Sequence, residues 1–249
     1  LFAIVALVIL PFLPNHSYSL AEMGSIGTLL RTLDIAHIDQ LVALEIINPF
    51  KTWFIVVFVS GLDLFGHVLS KFISGEKSTF WSATIGGFVS STSTTISLAI
   101  QSKVENSKAA IDNLVAAALS ANAASFIQIL ILVAPVSFSF LGKIFIPTSI
   151  LAIGMFVIAY SMHGVSPEAE PSVKIDTDKR DKDIFKLEPA LKFALILTVV
   201  KLFTKLALVY LGDSGFLVSS LLASVAGMDA IIINISQLVN SAEIALTLG

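Results

Sequence analysis

The chain has 249 residues, of which 55% are hydrophobic and 13% are charged, and its mean hydropathy is +0.90. Soluble domains have about 25% charged residues, so this composition excludes an ordinary soluble globule and predicts an integral membrane protein. The chain contains no cysteine, which excludes disulfides, thiolate metal sites and cysteine nucleophiles. The net charge is −3, and no basic patch interleaved with aromatic residues indicates binding to nucleic acid.

Apolar segments follow one another along the chain and predict membrane-spanning helices. They cover residues 1–13, 50–74, 80–101, 109–134, 144–162, 189–211 and 215–239, and a further one begins at 241–249. A helix needs about 20 mainly apolar residues to cross the hydrocarbon core of a bilayer. The predicted fold class is therefore an all-α polytopic transmembrane bundle with about seven spans plus a truncated eighth. Because both ends of the chain lie inside apolar runs, we expect a longer membrane protein.

The hydrophilic stretch 163–188 is predicted to be a cytoplasmic loop within a single transmembrane domain that covers residues 1–249. Its lysines and arginine are concentrated between Lys174 and Lys186, and loops rich in Lys and Arg stay on the cytoplasmic side. If every apolar segment crosses, residues 14–48 lie on the same side. The protein is thus expected to be a multi-pass protein of the cell membrane, most simply a prokaryotic inner membrane.

An internal repeat is predicted, with repeat one at about 47–134 and repeat two, truncated, at about 187–249. INPFKTWFIVVFV at 47–59 parallels LEPALKFALILTV at 187–199, and the region 75–91 parallels 212–230. Transporters are often built from such repeats, with binding sites where the repeats meet near the membrane midplane. The two repeats are parallel if all segments cross fully, and they are inverted if one segment is re-entrant.

A run of hydroxyl residues follows Gly86 and Gly87 inside an otherwise apolar segment. One interpretation is close helix packing, since small residues let helices approach and hydroxyls bond to backbone carbonyls. The other is a broken helix whose hydroxyls and freed carbonyls coordinate an ion, as unwound helices do in transporters. The candidate ligands are Ser90, Ser91, Thr92, Thr94 and Thr95, together with Asn122 of the next segment.

Three charged residues lie inside apolar segments and complete the candidate site. Lys201 is in the middle of the segment 190–211, where an unpaired ammonium costs a few kcal/mol or more to insert. We therefore expect Lys201 to point into the bundle near Asp229 or Asp63. The pair is either a buried structural ion pair or a site that responds to protons or cations. Because Asp229 occupies the place in repeat two that the hydroxyl run occupies in repeat one, we predict that both face a shared site at breaks in their helices.

Several strings together resemble one membrane-protein family. They are ILPFLPN at 9–15, INPFKTWFIVVFVSGLDLFGHV at 47–68, GGFVSSTSTTISLA at 86–99, LEPALKFALIL at 187–197 and DAIIINISQL at 229–238. This combination is similar to the DUF4010 membrane domain. The resemblance implies an upstream MgtC/SapB-type domain and a loose link to magnesium homeostasis or virulence-type membrane regulation. It also implies a family acid at Asp229 and a basic residue at Lys205, whereas Asp63 and His67 depart from the family pattern.

The function predicted from these residues is a transporter-like or channel-like module for a small ion, for example a divalent cation such as magnesium. No histidine and carboxylate set has the spacing of metal ligands, and no nucleotide-binding fingerprint is present. We therefore expect no enzyme activity and no cofactor, and the residue spacing leaves the identity of any bound metal open. The alternative is a regulatory membrane module that binds a partner membrane protein. The expected partners are the lipid bilayer, a small cation, the MgtC/SapB-type domain and a second copy of the chain.

Overall fold

A computed structural model describes residues 8–19, 45–73, 79–105, 107–163, 187–224 and 227–240. The structure of these ranges is mainly helical, which confirms the all-α prediction. The helices are α1 (Pro49–Ile73), α2 (Thr79–Ser102), α3 (Lys108–Val133), α4 (Phe138–His163), α5 (Leu187–Ala223) and α6 (Met228–Asn240). A 3-10 turn at Leu10–Phe12 and an antiparallel pair of short strands, β1 (Tyr18–Ser19) and β2 (Glu45–Ile47), precede them. The predictions for 1–7, the loop 164–186 and the start of an eighth span at 241–249 lie outside the described residues.

Four helical stretches in the described ranges are long and apolar enough to cross a membrane. They are Pro49–Leu69, Lys108–Val133, Phe138–His163 and Leu191–Gly212. Helix α2 is not among them, and the helices Ser214–Ala223 and Met228–Val239 are shorter than a span. The apolar segment 215–239 is divided between two helices, because α5 ends at Ala223 and α6 begins at Met228. Gly227 between them has φ +149°, a backbone conformation that side chains with a Cβ rarely adopt.

The chain divides into two compact units, one formed by Leu1–Ser60 with Phe185–Gly249 and the other by Gly61–Ile184. In the second of these units, Ala116 of α3, Ala159 of α4 and Phe80 of α2 pack in one buried cluster. The Phe80 ring stacks on His163 at a centroid distance of 4.6 Å and meets Phe156 at 5.8 Å. The beginning of α2 is therefore fixed beside the C-terminal end of α4.

Helix α2 is a hairpin rather than a straight helix, because its backbone leaves helical geometry at Ser90 (φ −165°, ψ 100°). Ala83 before the break and Leu98 after it share one buried cluster with Leu114, Ala117 and Ala121 of α3. In a straight helix, residues fifteen positions apart lie about 22 Å apart along the axis. Both halves of α2 therefore pack on the same stretch of α3.

The contacts give the direction of each arm of this first hairpin, which comprises Thr79–Ser102. Thr84 Oγ1 lies 2.9 Å from Ser120 Oγ, and Gly87 lies against the backbone of Ala121, so the first arm runs parallel to α3. After the break, Thr95 meets Asn122, and Leu98 packs in the cluster that extends to Leu114, nearer the N-terminus of α3. The second arm therefore runs antiparallel to α3. Each arm is about 17 Å long, which is about half the thickness of a hydrocarbon core. Gly87 and Thr95, which flank the turn at Ser90, lie level with residues 121–122, near the middle of α3.

A second hairpin forms from the Ser214–Ala223 arm of α5 and from α6. The chain turns from the Leu191–Gly212 span into the first arm at Gly212 (φ +59°, ψ −144°). Just after this turn, Gly215 lies so close to the span that an added Cβ would overlap the carbonyl group of Ala207. The Ser214–Ala223 arm therefore folds back along the Leu191–Gly212 span. Val200, Ala223 and Ile231 pack in one buried cluster, which puts the end of that arm beside the middle of the span.

Helix α6 then runs in the same direction as the Leu191–Gly212 span. The amide Nδ2 of Asn234 donates to Thr204 Oγ1 at 3.0 Å, one helical turn beyond the Val200 and Ile231 contact on each helix. The second hairpin thus has its tip, between the end of α5 and the first turn of α6, level with the middle of the span, and both of its arms lead toward the Gly212 end. Its arms, like those of the first hairpin, are too short to cross a bilayer.

Candidate functional site

The tip of the first hairpin is formed by residues with little tendency to stay helical. Serine and threonine side chains compete with the helix by bonding to nearby backbone groups, and glycine has a high entropic cost in a helix. At the break, Ser90 Oγ accepts a hydrogen bond from the backbone N–H of Ser93 at 3.3 Å. Ser90 therefore acts as the N-cap of the second arm. The backbone break expected within the hydroxyl run is present.

Glycine brings this tip into close contact with the middle of α3. A Cβ added at Gly87 would overlap the backbone of Ala121, and Ala121 itself is fully buried. The second arm is tied at the same level, because Asn122 Nδ2 lies 3.4 Å from Thr95 Oγ1 while donating to the Ala118 carbonyl at 2.8 Å. Of the predicted site residues, the structure thus brings together Thr95 and Asn122.

The other hydroxyls of the run differ in exposure. Thr94 is buried, with 2% of its surface exposed, Ser90 and Ser91 are half-buried, and Thr92 is exposed. The hydroxyl run therefore presents some groups to the interior of its unit and at least one to its outside. The packing interpretation fits the buried Thr94, and the coordination interpretation stays a prediction.

A carboxylate lies near this tip on α1. A Cβ added at Gly66 would come 2.6 Å from Val89 Cγ2, and the rings of Phe65 and Phe88 meet at 6.4 Å, so α1 crosses the tip at this level. Asp63 is half-buried and lies one turn before Gly66 on the same face of α1. The first tip therefore combines hydroxyls, an amide and, within about a turn, one acid.

The other two charged candidates, Asp229 and Lys201, lie at the level of the second tip. Asp229 is half-buried in the first turn of α6, where a negative charge also complements the helix dipole. Lys201 is half-buried, follows Val200 in the sequence, and makes at least one polar or electrostatic interaction. Both residues therefore lie at the depth of the second tip. That Lys201 has Asp229 or Asp63 as its partner, and that the two tips face a shared site, remain predictions.

A family model described as a domain of unknown function (DUF4010) matches residues 57–249. The chain belongs to the DUF4010 family. No curated protein and no solved structure gives a significant match to it. The family match includes both hairpins and both tips.

The DUF4010 chain contains buried polar residues that the sequence reasoning did not assign to a site. Thr204 and Asn234 are fully buried and bonded to each other, and Ser220 and Gln237 have buried oxygen atoms in the same hairpin. Asn234 and Gln237 are three residues apart in IIINISQ, a spacing that puts two amides on one helix face. The position of Ser220 depends on the turn at Gly212, which hydrophobicity alone did not indicate.

The chemistry available at the tips of the DUF4010 chain is that of oxygen ligands. Within the described ranges, no three His, Asp or Glu residues come close enough to hold a metal ion. Among the described residues, Asp63 would supply a carboxylate to a divalent ion at the first tip, and the ion would keep several of its waters, which is the usual state of protein-bound magnesium. Hard cations that accept hydroxyl and amide oxygens fit the residues better than metals that need histidine or thiolate ligands.

Proposed function

We propose that the DUF4010 chain transports a small ion, and that the ion binds at the polar tips of hairpins that enter the bilayer to about mid-depth. One observation carries the proposal: in each hairpin the residues that flank the break lie level with the middle of a span, and the candidate polar and charged residues lie nearby. A break with only a structural role would not need polar or charged side chains around it. Polar groups at that depth are costly in a membrane, and they mark ion pathways and proton relays.

Broken helices at the midplane are a recurring means of binding ions in transporters. Half-helix ends and unwound backbone supply partial charges and free carbonyls that a continuous helix does not offer. Non-helical backbone is tolerated at that depth where it is enclosed by protein or lines a cavity. The close contact of Gly87 with Ala121 supplies such an enclosure on one side of the first tip.

The hairpins also change the membrane topology that the sequence suggests. If α2 returns to its own side, three crossings, by α1, α3 and α4, separate the starts of the two repeats, and the repeats are inverted. The loop 163–188 then shares a side with the connections at 74–78 and 103–107. That side gathers Lys71, Lys77, Lys103, Lys108 and the cluster at 174–192, while Arg31, Lys51 and Lys143 fall on the other. The positive-inside bias makes the loop cytoplasmic and puts residues 14–48 outside.

The transported species that the family resemblance favours is a divalent cation such as magnesium. The resemblance also favours an upstream MgtC/SapB-type domain as a partner of this membrane domain. The bilayer is that of a cell membrane, most simply a prokaryotic inner membrane, and a homo-oligomer is compatible with the long exposed apolar surface of α4. The proposal assigns no enzyme chemistry and no cofactor to the chain.

The direct test is ion flux into liposomes that contain the purified protein, with magnesium, alkali-metal cations and protons measured separately. Asp229→Asn should abolish flux without loss of expression, and Asp63→Asn and Thr95→Val should weaken it. Asp112→Asn is the matched control, because Asp112 lies near the start of α3, away from the first tip. Flux of no ion, or equal flux in all four variants, would overturn the proposal and favour the regulatory module instead.

A further inference from the structure

We infer that an alkali-metal cation binds between the arms of the second hairpin and the Leu191–Gly212 span, one helical turn away from the tip. The site consists of four neutral oxygen-bearing side chains. They are Thr204 of the span, Ser220 of the Ser214–Ala223 arm, and Asn234 and Gln237 of α6. The charged candidates of the second tip are not part of it.

The packing of the hairpin places Thr204, Ser220 and Asn234 in one layer, with Gln237 one turn beyond it. Val200, Ala223 and Ile231, one from each of the three helical segments, form the apolar cluster beside the tip. One turn further from the tip on each segment come Thr204, Ser220 and Asn234, respectively. Gln237 follows Asn234 on the same face of α6, again one turn further. A polar layer therefore lies directly on the apolar one.

Three oxygen atoms of this layer have unused acceptor capacity. Asn234 has none of its surface exposed, and its Nδ2 donates to Thr204 Oγ1, which in turn lies 2.8 Å from the Val200 carbonyl. This arrangement leaves Asn234 Oδ1 for another partner. Asn234 Oδ1, Gln237 Oε1 and Ser220 Oγ are buried and have no hydrogen-bond partner within the described part of the chain. A buried polar atom without a partner is destabilising, so three of them within about one helical turn need an explanation.

The chemistry of the layer selects the kind of ligand. Amide carbonyl and hydroxyl oxygens are hard ligands without formal charge, and they suit a hard cation. Calcium and magnesium sites normally include carboxylates, which this layer lacks. A monovalent ion such as sodium or potassium is therefore the ligand that fits.

The test is thermal unfolding of the whole purified chain in detergent, in choline chloride to which sodium, potassium, lithium or magnesium chloride is added at constant ionic strength. Binding to the folded state should raise Tm with a saturating dependence on one or more alkali-metal ions, by about 5–10 °C at about one hundred times Kd. Magnesium should give no comparable rise. The absence of a rise with any alkali-metal ion would mean that water satisfies these oxygens and would overturn the inference.

Ser220→Ala, with Ser219→Ala as its control, locates the response. Ser219 is one residue away on the same arm and almost fully buried, but its hydroxyl already donates to the Phe216 carbonyl at 3.0 Å. Ser220→Ala should abolish most of the alkali-metal response while leaving Tm in choline equal or higher, because it removes an unpartnered oxygen. Ser219→Ala should keep the response. An equal response in both variants would place the bound ion elsewhere and contradict the assignment.

Binding at this layer deepens the proposed transport function but is measured independently of it. An alkali-metal response without flux would leave the site in place and remove the transport proposal. Flux without an alkali-metal response would support the transport proposal and remove the alkali-metal site.

Discussion

Replacing Gly87 by alanine tests the close approach that fixes the first hairpin to α3. The added Cβ would overlap the backbone of Ala121, which cannot move aside as a side chain can. Overpacking of this kind costs about 1–3 kcal/mol, and backbone contact places this case at about the upper value. Alanine also gains about 1 kcal/mol of helix propensity over glycine. The expected net effect is a destabilisation of about 2 kcal/mol, measured by SDS or thermal unfolding in detergent.

Gly154→Ala in α4 is the matched control for this prediction. No atom outside its own helix backbone lies within 4 Å of a Cβ added at Gly154, so this variant should be stabilised by about 1 kcal/mol through helix propensity alone. The two glycine-to-alanine variants should therefore differ by about 3 kcal/mol, or about 6–12 °C in Tm for a chain of this size. Equal stabilities, or a more stable Gly87→Ala, would refute the close approach of the first hairpin to α3.

Three further substitutions test single contacts. Asn122→Leu should remove the bond to Thr95 and lower stability by about 1 kcal/mol in the same unfolding assay, whereas an unchanged stability would show that the contact contributes nothing. Ser137→Ala should cost about 0.5–2 kcal/mol, because Ser137 Oγ caps α4 by accepting the Phe140 N–H at 3.2 Å; a neutral effect would remove it as a cap. Lys201→Met should reduce the folded yield, and the double variant with Asp229→Asn should restore it; a single variant with wild-type yield would argue against a buried charge pair.

The helix boundaries were the part of the fold that hydrophobicity predicted well. The segments 50–74 and 109–134 differ from α1 and α3 by one residue at each end, because a long apolar run leaves a helix few alternatives. Helix α4 begins six residues before the predicted 144, because Ser137 supplies a cap that an apolar window does not detect. Hydrophobicity thus locates the body of a span more reliably than its first turn.

The hairpins could not be derived in this way, because a folded-back pair of half-length helices has the same apolar composition as one full span. A hairpin differs from a full span only by a break in the helix, and the break depends on single residues such as Ser90, Gly212 and Gly227. The internal repeat predicts that helices break at Gly227 and within the hydroxyl run. The polar layer around Asn234 is not predictable from the repeat, since that layer forms only when the turn at Gly212 brings Ser220 back beside Thr204.

The most direct measurement of the central claim is the membrane side of the two ends of the first hairpin. The chain has no cysteine, so single cysteines introduced at Gly75, Glu105, Ser172 and Pro135 report without background. An impermeant thiol reagent applied to intact cells should label position 135, in the connection between α3 and α4, and leave positions 75, 105 and 172 unlabelled until the cytoplasmic side is exposed. Labelling of 75 and 105 from opposite sides would show that Thr79–Ser102 crosses the bilayer, and would contradict a mid-membrane tip.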